Sequence, residues 1–398
     1  MNPATVLLLG VIAVLILAGS RLAFGKRAVP AWIAPFFATG AVFLAIGALI
    51  GPQGANLFTN QILQSLDPLI VIGIGWIGFL YGTHFEWRLL RRYPITIHAA
   101  TLFVSLFTFT VIAGTSWLLI SGVLAPGLPW REQVAAAAIL GVCGAGTAPA
   151  GVFQLSSAWR ISTRNLNVLR LFAALDDLPP VLLLGLMNAL LRPAAHGSPL
   201  LWIVYTIGLG AGLGMICHWL FPKGDDARHN FLILLGIVSL GAGAAAMLRL
   251  SPIFVSALAG MIFANLSPRK ETAYGMLASR EHTLYAIFLL MAGVLFRFEW
   301  SAVATRLPAF IGVRALGKLM GGYVSWRLFL ARSHISPLIG AGLLFQGGMA
   351  LAMAVSYDHS HGDSMVHQVT TTILVAVVIN DLMAPFIAGG VLGARRQK

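Results

Sequence analysis

Asp176 and Asp177 stand side by side in the long apolar run of residues 168–191 and are followed by Leu178-Pro179-Pro180. Placing one charge at the centre of a bilayer costs at least about 2.5–3.5 kcal/mol. Two neighbouring carboxylates also repel each other, so the pair needs counter-charges, protons or bound cations. An ionisable pair at membrane depth points to a cation or proton site; the plainer alternative is a hydrogen-bonded structural pair. Asp381, within Val378-Ile379-Asn380-Asp381-Leu382, also lies in an apolar run, as do the cations Arg170, Arg314 and Lys318. Asp176, Asp177, Lys318 and Asp381 fall near the middles of their runs, at similar depth.

The elements that must position these charges are membrane helices. The chain has 398 residues, 58% of them hydrophobic and 10% charged, with a mean hydropathy of +0.86, against about 25% charged in an ordinary soluble domain. Its apolar runs are continuous rather than alternating, which excludes a β-barrel and predicts an all-α polytopic membrane protein. Thirteen spans are expected, at about 4–24, 31–50, 66–83, 95–120, 132–155, 166–191, 199–221, 229–248, 251–266, 283–296, 303–329, 336–356 and 367–393. The tenth is short, and only Leu248-Arg249-Leu250 separates the eighth from the ninth.

The cations test that count. Connections after odd-numbered spans carry Arg21, Lys26, Arg27, Arg88, Arg91, Arg92, Arg160, Arg164, Lys223, Arg228, Arg269, Lys270, Arg280, Arg327, Arg332, Arg395, Arg396 and Lys398. The opposite connections carry only Arg131, Arg192, Arg249, Arg297 and Arg306. This positive-inside asymmetry places the N-terminus outside and the C-terminus in the cytoplasm. It also accounts for the net charge of +13 without a nucleic-acid surface, since the cations are scattered between spans. No basic stretch precedes the first run, which fits a retained span rather than a cleaved signal peptide. Cys143 and Cys217 both lie in apolar runs, so neither a disulfide framework nor a cysteine metal site is expected. No phosphate loop, nucleophile triad or zinc motif is present.

Glycine and proline mark two further places. The fifth span contains Gly144-Ala145-Gly146-Thr147-Ala148-Pro149-Ala150-Gly151 and the twelfth Phe345-Gln346-Gly347-Gly348-Met349-Ala350, both near mid-span. Such residues weaken a helix or remove a backbone donor. Unwound backbone at membrane depth is tolerated only where it is packed in protein or lines a polar cavity. The two spans run in opposite directions, so a repeat relating them is inverted, and matched broken helices in inverted repeats point to a transporter site. Ordinary small-residue helix contacts are the simpler alternative.

Four stretches together resemble the bacterial monovalent cation:proton antiporters, the branch of Nap- and Nha-type sodium/proton antiporters with the related Kef-type potassium systems. They are Gly146-Thr147-Ala148-Pro149-Ala150, Ala173-Ala174-Leu175-Asp176-Asp177, Leu250-Ser251-Pro252 through Leu258-Ala259-Gly260, and Arg314-Ala315-Leu316-Gly317-Lys318-Leu319-Met320-Gly321. The resemblance implies inverted repeats with two crossed broken helices, and a division into five regions. Residues 1–94 (helices 1–3) and 229–302 (helices 8–10) would be scaffold and homodimer helices. Residues 95–198 (helices 4–6) and 303–398 (helices 11–13) would form the ion-carrying core, and 199–228 a linker helix. It further implies that Asp177 is the main ion carboxylate, that Asp176 pairs with Lys318, and that an Asp-Asp pair goes with electrogenic exchange. A bacterial inner membrane is the implied location. The chain shows no nucleotide-binding domain of the Kef kind, and no cofactor is expected beyond transported Na⁺ and H⁺.

Na⁺ is a hard cation that prefers oxygen ligands. Asp177, Asp176, the Thr147 hydroxyl and carbonyls freed by the breaks can supply them. Protons and Na⁺ neutralise the same carboxylates, so each displaces the other, and the adjacent acids titrate as one coupled pair. Four residues are accessory candidates. Arg170 can snorkel to headgroups or act as a further charge. Arg314, one turn from Lys318, can pair with Asp381 or Glu132. Asp381 can tie the last span to the breaks or relay protons, and Gln346 can line a cavity. The segment Asp358-His359-Ser360-His361-Gly362-Asp363 with His367 reads as a polar outer loop more readily than as a metal site. A K⁺/H⁺ antiporter or K⁺ efflux system on the same scaffold is the alternative. An organic-anion symporter should place cations, not an acid pair, at its centre. An intramembrane aspartyl protease needs acids from different spans, whereas neighbours on a helix point about 100° apart.

Overall fold

The computed structural model describes residues 41–57, 60–191, 198–221, 227–268, 270–295, 300–361 and 364–395. The first expected span, the first half of the second, and cations such as Arg21, Lys26 and Arg27 lie outside the described residues. In chain order the helices of ten or more residues are α1 Ala41–Ile50, α2 Asn60–Thr83, α3 Ile95–Leu119, α4 Trp130–Ala145, α5 Pro149–Ala158, α6 Thr163–Leu175, α7 Leu178–Leu190, α8 Pro199–Leu220, α9 Ala227–Met247, α10 Pro252–Leu266, α11 Lys270–Val294, α12 Trp300–Ser325, α13 Gly347–His361 and α14 Ser364–Leu392. Two three-residue strands, β1 Trp159–Ile161 and β2 Gly393–Arg395, form an antiparallel ribbon that the sequence does not announce.

Among the described residues, five helices are apolar and long enough by themselves to cross a membrane. They lie at Ser65–Thr83, Ile95–Leu124, Pro199–Leu220, His229–Met247 and Met365–Leu392. The fifth, sixth, eleventh and twelfth spans, expected to hold most of the site, do not qualify, for the reason that makes them interesting: they are broken or carry charge. The fifth divides into α4 and α5. The twelfth divides into a 3₁₀ turn, Ile339–Leu343, and α13. The sixth, expected as one run, is interrupted at Asp176-Asp177 between α6 and α7. Pro179 and Pro180 explain this break, because neither can donate to the carbonyl four residues back. The tenth is longer than expected: α11 begins at Lys270 and absorbs Arg280, with Glu271 in its first turn. The turn between α9 and α10 is real and places Arg249 in the left-handed region (φ 52°).

The chain divides into two compact units, one of residues Met1–Phe85 with Ile207–Phe298, the other of Glu86–Thr206 with Glu299–Lys398. In the first, α2 packs along α10 at glycine distance. A Cβ on Gly82 would run into the Ala257 carbonyl and one on Gly260 into the Phe79 carbonyl. Small residues let membrane helices approach this closely. In the second unit α3 packs between α4 and α12. There an apolar core of Val104, Leu169, Phe172, Leu343 and Phe345, all buried, surrounds the two breaks.

Candidate ion site at the crossing of two broken helices

Chain direction at the first break is set by Gly146 and Ala148, both in extended geometry, before Pro149 restarts the helix. Proline suits that first helical turn, where its missing N–H would have no intrahelical partner. The second break covers Leu344–Gln346 and ends at Gly347, whose φ of +67° is left-handed. Only glycine adopts that conformation freely, and a Cβ at Gly347 would also strike the Ala148 side chain. The breaks touch through backbone: the Ala148 N–H donates to the Phe345 carbonyl at 3.2 Å.

Two buried charges hold this crossing. Arg314, from α12, spends its guanidinium on backbone carbonyls of both breaks. Nε donates to Gly144 O at 3.1 Å and Nη2 to Gly146 O at 3.2 Å and Phe345 O at 3.0 Å. Nη1 donates to Leu344 O at 2.6 Å. The carbonyl end of a helix carries partial negative charge, so a cation is stabilised there. Asp381, from α14, does the converse at the start of α13. It accepts from Gln346 N at 2.7 Å and from Gly347 N at 3.2 and 3.3 Å, where orphan N–H groups carry partial positive charge. Arg314 thus hydrogen-bonds backbone carbonyls rather than Glu132 or Asp381, and Asp381 serves as a helix cap. The Gln346 amide bridges the same parts, donating to Cys143 O at 3.0 Å and accepting from Asn380 Nδ2 at 2.7 Å.

Beside the clamp lies the acid pair. Asp176 Oδ2 is 3.0 Å from Lys318 Nζ, and both side chains are fully buried. The Thr147 hydroxyl donates to Asp176 Oδ2 at 2.6 Å and its backbone N–H to Oδ1 at 3.2 Å. Lys318 also donates to Thr147 Oγ1 at 2.9 Å and to the Ala145 carbonyl. Asp177 is likewise buried but faces elsewhere: its Oδ1 lies so close to Gly146 that a Cβ there would overlap it. The two acids therefore diverge, one onto the ammonium and the other onto unwound backbone. Both carboxylates and the Thr147 hydroxyl nevertheless border the same break, and oxygen donors of this kind are what a small hard cation requires.

Ser105, on α3, is a participant that sequence reading passes over. Its hydroxyl donates to the Asp176 carbonyl at 2.8 Å. Pro180 cannot serve that carbonyl, so the serine replaces the missing helical donor. A clue was available in the spacing of Thr101, Ser105 and Thr108, three buried hydroxyls on one face of an apolar helix. Arg170 stands apart from the site, exposed, with its guanidinium 5.1 Å from the Phe153 ring centre. Residues 358–361 belong to α13 instead of a loop; Asp358 Oδ1 lies 2.7 Å from His367 Nδ1, and Asp363 is outside the described residues. Among the described residues no group of three or more His, Cys, Asp or Glu could hold a metal.

Comparison with known proteins bears on the family and the fold. The family model described as sodium/hydrogen exchanger, transmembrane, matches residues 10–389. The fold is similar to the structure of the sodium proton antiporter MjNhaP1 from Methanocaldococcus jannaschii at pH 8. The TM-score is 0.64 at 18% identity, over 98% of this chain and 100% of that one. An electron-microscopy structure of the same antiporter gives a TM-score of 0.61 at 16% identity, with all of both chains covered. At such identities the likeness is one of fold. No curated protein matches the chain.

Proposed function

The chain belongs to the family of transmembrane sodium/hydrogen exchangers, and from that premise we propose that it exchanges Na⁺ or Li⁺ for H⁺, electrogenically, through Asp177 and Asp176. It is an integral membrane transporter, not an enzyme. The observation that carries the proposal is the Lys318–Asp176 pair at 3.0 Å, with Asp177 as sequence neighbour, at the crossing of two broken helices.

The chemistry is a charge balance. In the proton-loaded state Asp177 is protonated and Asp176 is paired with the Lys318 ammonium, so the three groups sum to zero. A dehydrating Na⁺ takes oxygens from Asp177, Asp176 and Thr147 and expels the Asp177 proton. When it also takes Asp176 from Lys318, the ammonium loses its partner and releases a second proton. Two protons then leave for each Na⁺ bound, and the cycle moves net charge. If Lys318 keeps its proton, exchange is one for one and moves none. Arg314 and Asp381 contribute fixed and opposite charges throughout. An empty site is too costly to carry through an apolar barrier, so the loaded core alone moves and exchange is obligatory.

In this proposal residues 95–198 and 303–398 are the moving core, 1–94 and 229–302 a dimer-forming scaffold, and 199–228 the link. The N-terminus faces outside and the C-terminus the cytoplasm of a bacterial inner membrane. The test uses proteoliposomes holding a proton gradient, challenged in turn with Na⁺, Li⁺ and K⁺. Proton efflux on Na⁺ or Li⁺ addition, abolished by Asp177→Asn, is the expected result. A response to K⁺ alone sinks Na⁺ exchange and favours the K⁺/H⁺ alternative.

A further inference from the structure

The face of α7 that carries Asp177 also carries an unexplained amide. Asp177 occupies the residue just before α7 with near-helical dihedrals (φ −82°, ψ −16°) and makes no side-chain cap bond. Asn188 follows eleven residues later, which returns it to within about 20° of the same face, about 16 Å farther along the axis. That face is buried through Val181, Leu184 and Gly185, while Leu182, Leu186 and Leu190 on the opposite side are 41–49% exposed. Asn188 is therefore aimed inward, on a helix packed against α3, α4 and α13. It is 5% exposed, and neither Nδ2 nor Oδ1 has a hydrogen-bond partner among the described residues.

An amide buried without partners is costly, about 1–3 kcal/mol. A buried polar group is normally satisfied by protein or by water. With no partner among the described residues, what suits Asn188 is a mobile polar species. The amide offers both halves of what a hydrated cation presents: Oδ1 can ligate the ion and Nδ2 can donate to a water of its shell. We propose that Asn188 is a second cation subsite, a way-station on the route between Asp177 and the membrane face at the C-terminal end of α7. Val181 and Leu184 separate the two stations with two turns of apolar side chain. In the proposed topology this is the extracellular route.

This subsite rests on the cation-exchange proposal above, and the test keeps the two apart. Exchange is measured in vesicles of known orientation, with Na⁺ offered to one face at a time, for wild type, Asn188→Leu and Asn188→Ser. Leucine should raise the apparent KM for Na⁺ about five-fold on the α7 C-terminal face, the scale of one lost polar partner. The KM on the opposite face should stay within about two-fold, which also shows that the variant is folded. Serine, small and polar, should stay near wild type on both faces; if the leucine protein does not fold, Asn188→Ala is read against serine in the same way. Equal KM values for wild type and variant on both faces overturn the subsite, as does an equal loss of maximal rate from both faces, the mark of a packing residue. Absence of wild-type exchange with Na⁺, Li⁺ and K⁺ overturns the parent proposal and the subsite with it.

Discussion

The two units pack their helices by different means. In the first, glycines bring backbone against backbone, as Gly82 does at Ala257 and Gly293 at Leu44, and among the described residues no Asp, Glu, Lys or Arg is buried. In the second, helices are interrupted, and buried charges take the place of missing helical hydrogen bonds: Arg314 on four carbonyls, Asp381 on two N–H groups. Close glycine packing leaves helix interiors intact, so their backbone groups stay bonded within the helix. A broken helix leaves carbonyls and N–H groups that must be satisfied by charge, and where charge is required it can also be exchanged. Within the second unit the same contrast recurs. Arg314 and Asp381 are tied to backbone, whereas Asp176 and Lys318, besides one backbone bond each, hold each other and a hydroxyl, partners that a cation or proton can replace.

Each substitution below breaks or sharpens that contrast. Arg314→Ala should have the largest effect, because it strips four carbonyls and leaves Asp381 without its nearby cation; a loss of about 3 kcal/mol or more is expected. Thermal unfolding in detergent measures it, and an unchanged midpoint would remove the distinction between clamp and site. Gly82→Val should cost about 1–3 kcal/mol by overpacking. In the same preparation the Na⁺ KM should be unchanged; a shifted KM would mean that the glycine-packed unit takes part in ion binding. Lys318→Gln should change the character of exchange more than the fold. Rates under a valinomycin-clamped voltage should lose their voltage dependence, and a retained dependence would exclude the lysine as the second proton carrier. Ser105→Ala is the mildest, about 1 kcal/mol for one orphaned carbonyl, with less than a five-fold rise in KM. A larger KM change would make Ser105 part of the ion site rather than a splint for the Asp176 turn.

Much of the site can be read from the sequence because charge is anomalous in an apolar run. Asp176, Asp177, Lys318, Arg314 and Asp381 stand out by composition alone, and the glycine and proline clusters mark where the fifth and twelfth spans unwind. Less legible were the partners. Arg314 was open to pairing with an acid, yet it binds carbonyls, and a carbonyl has no letter in a sequence. Asp381 caps a helix that begins 34 residues earlier at Gly347, a relation set by the crossing and not by spacing. The break at Asp176-Asp177 was missed although its cause, two prolines, was in view: an apolar run hides the loss of two donors. The ribbon pairing Trp159–Ile161 with Gly393–Arg395 joins segments far apart in the chain, and three-residue strands carry too little pattern to announce themselves.

The sequence by itself determined that this chain lives in a membrane, that its helices are interrupted at two places, and that a few charges must be accounted for at depth. Those follow from transfer energies, which depend on residue type and hardly on neighbours. Tertiary structure alone decided which charge holds which group. It turned Asp177 toward Gly146 and put Arg314 and Asp381 on the ends of broken helices, while the Lys318–Asp176 pair it forms is the one the resemblance had implied. Such choices depend on ångström-scale approach and on backbone groups that every residue carries alike, so only the folded chain makes them.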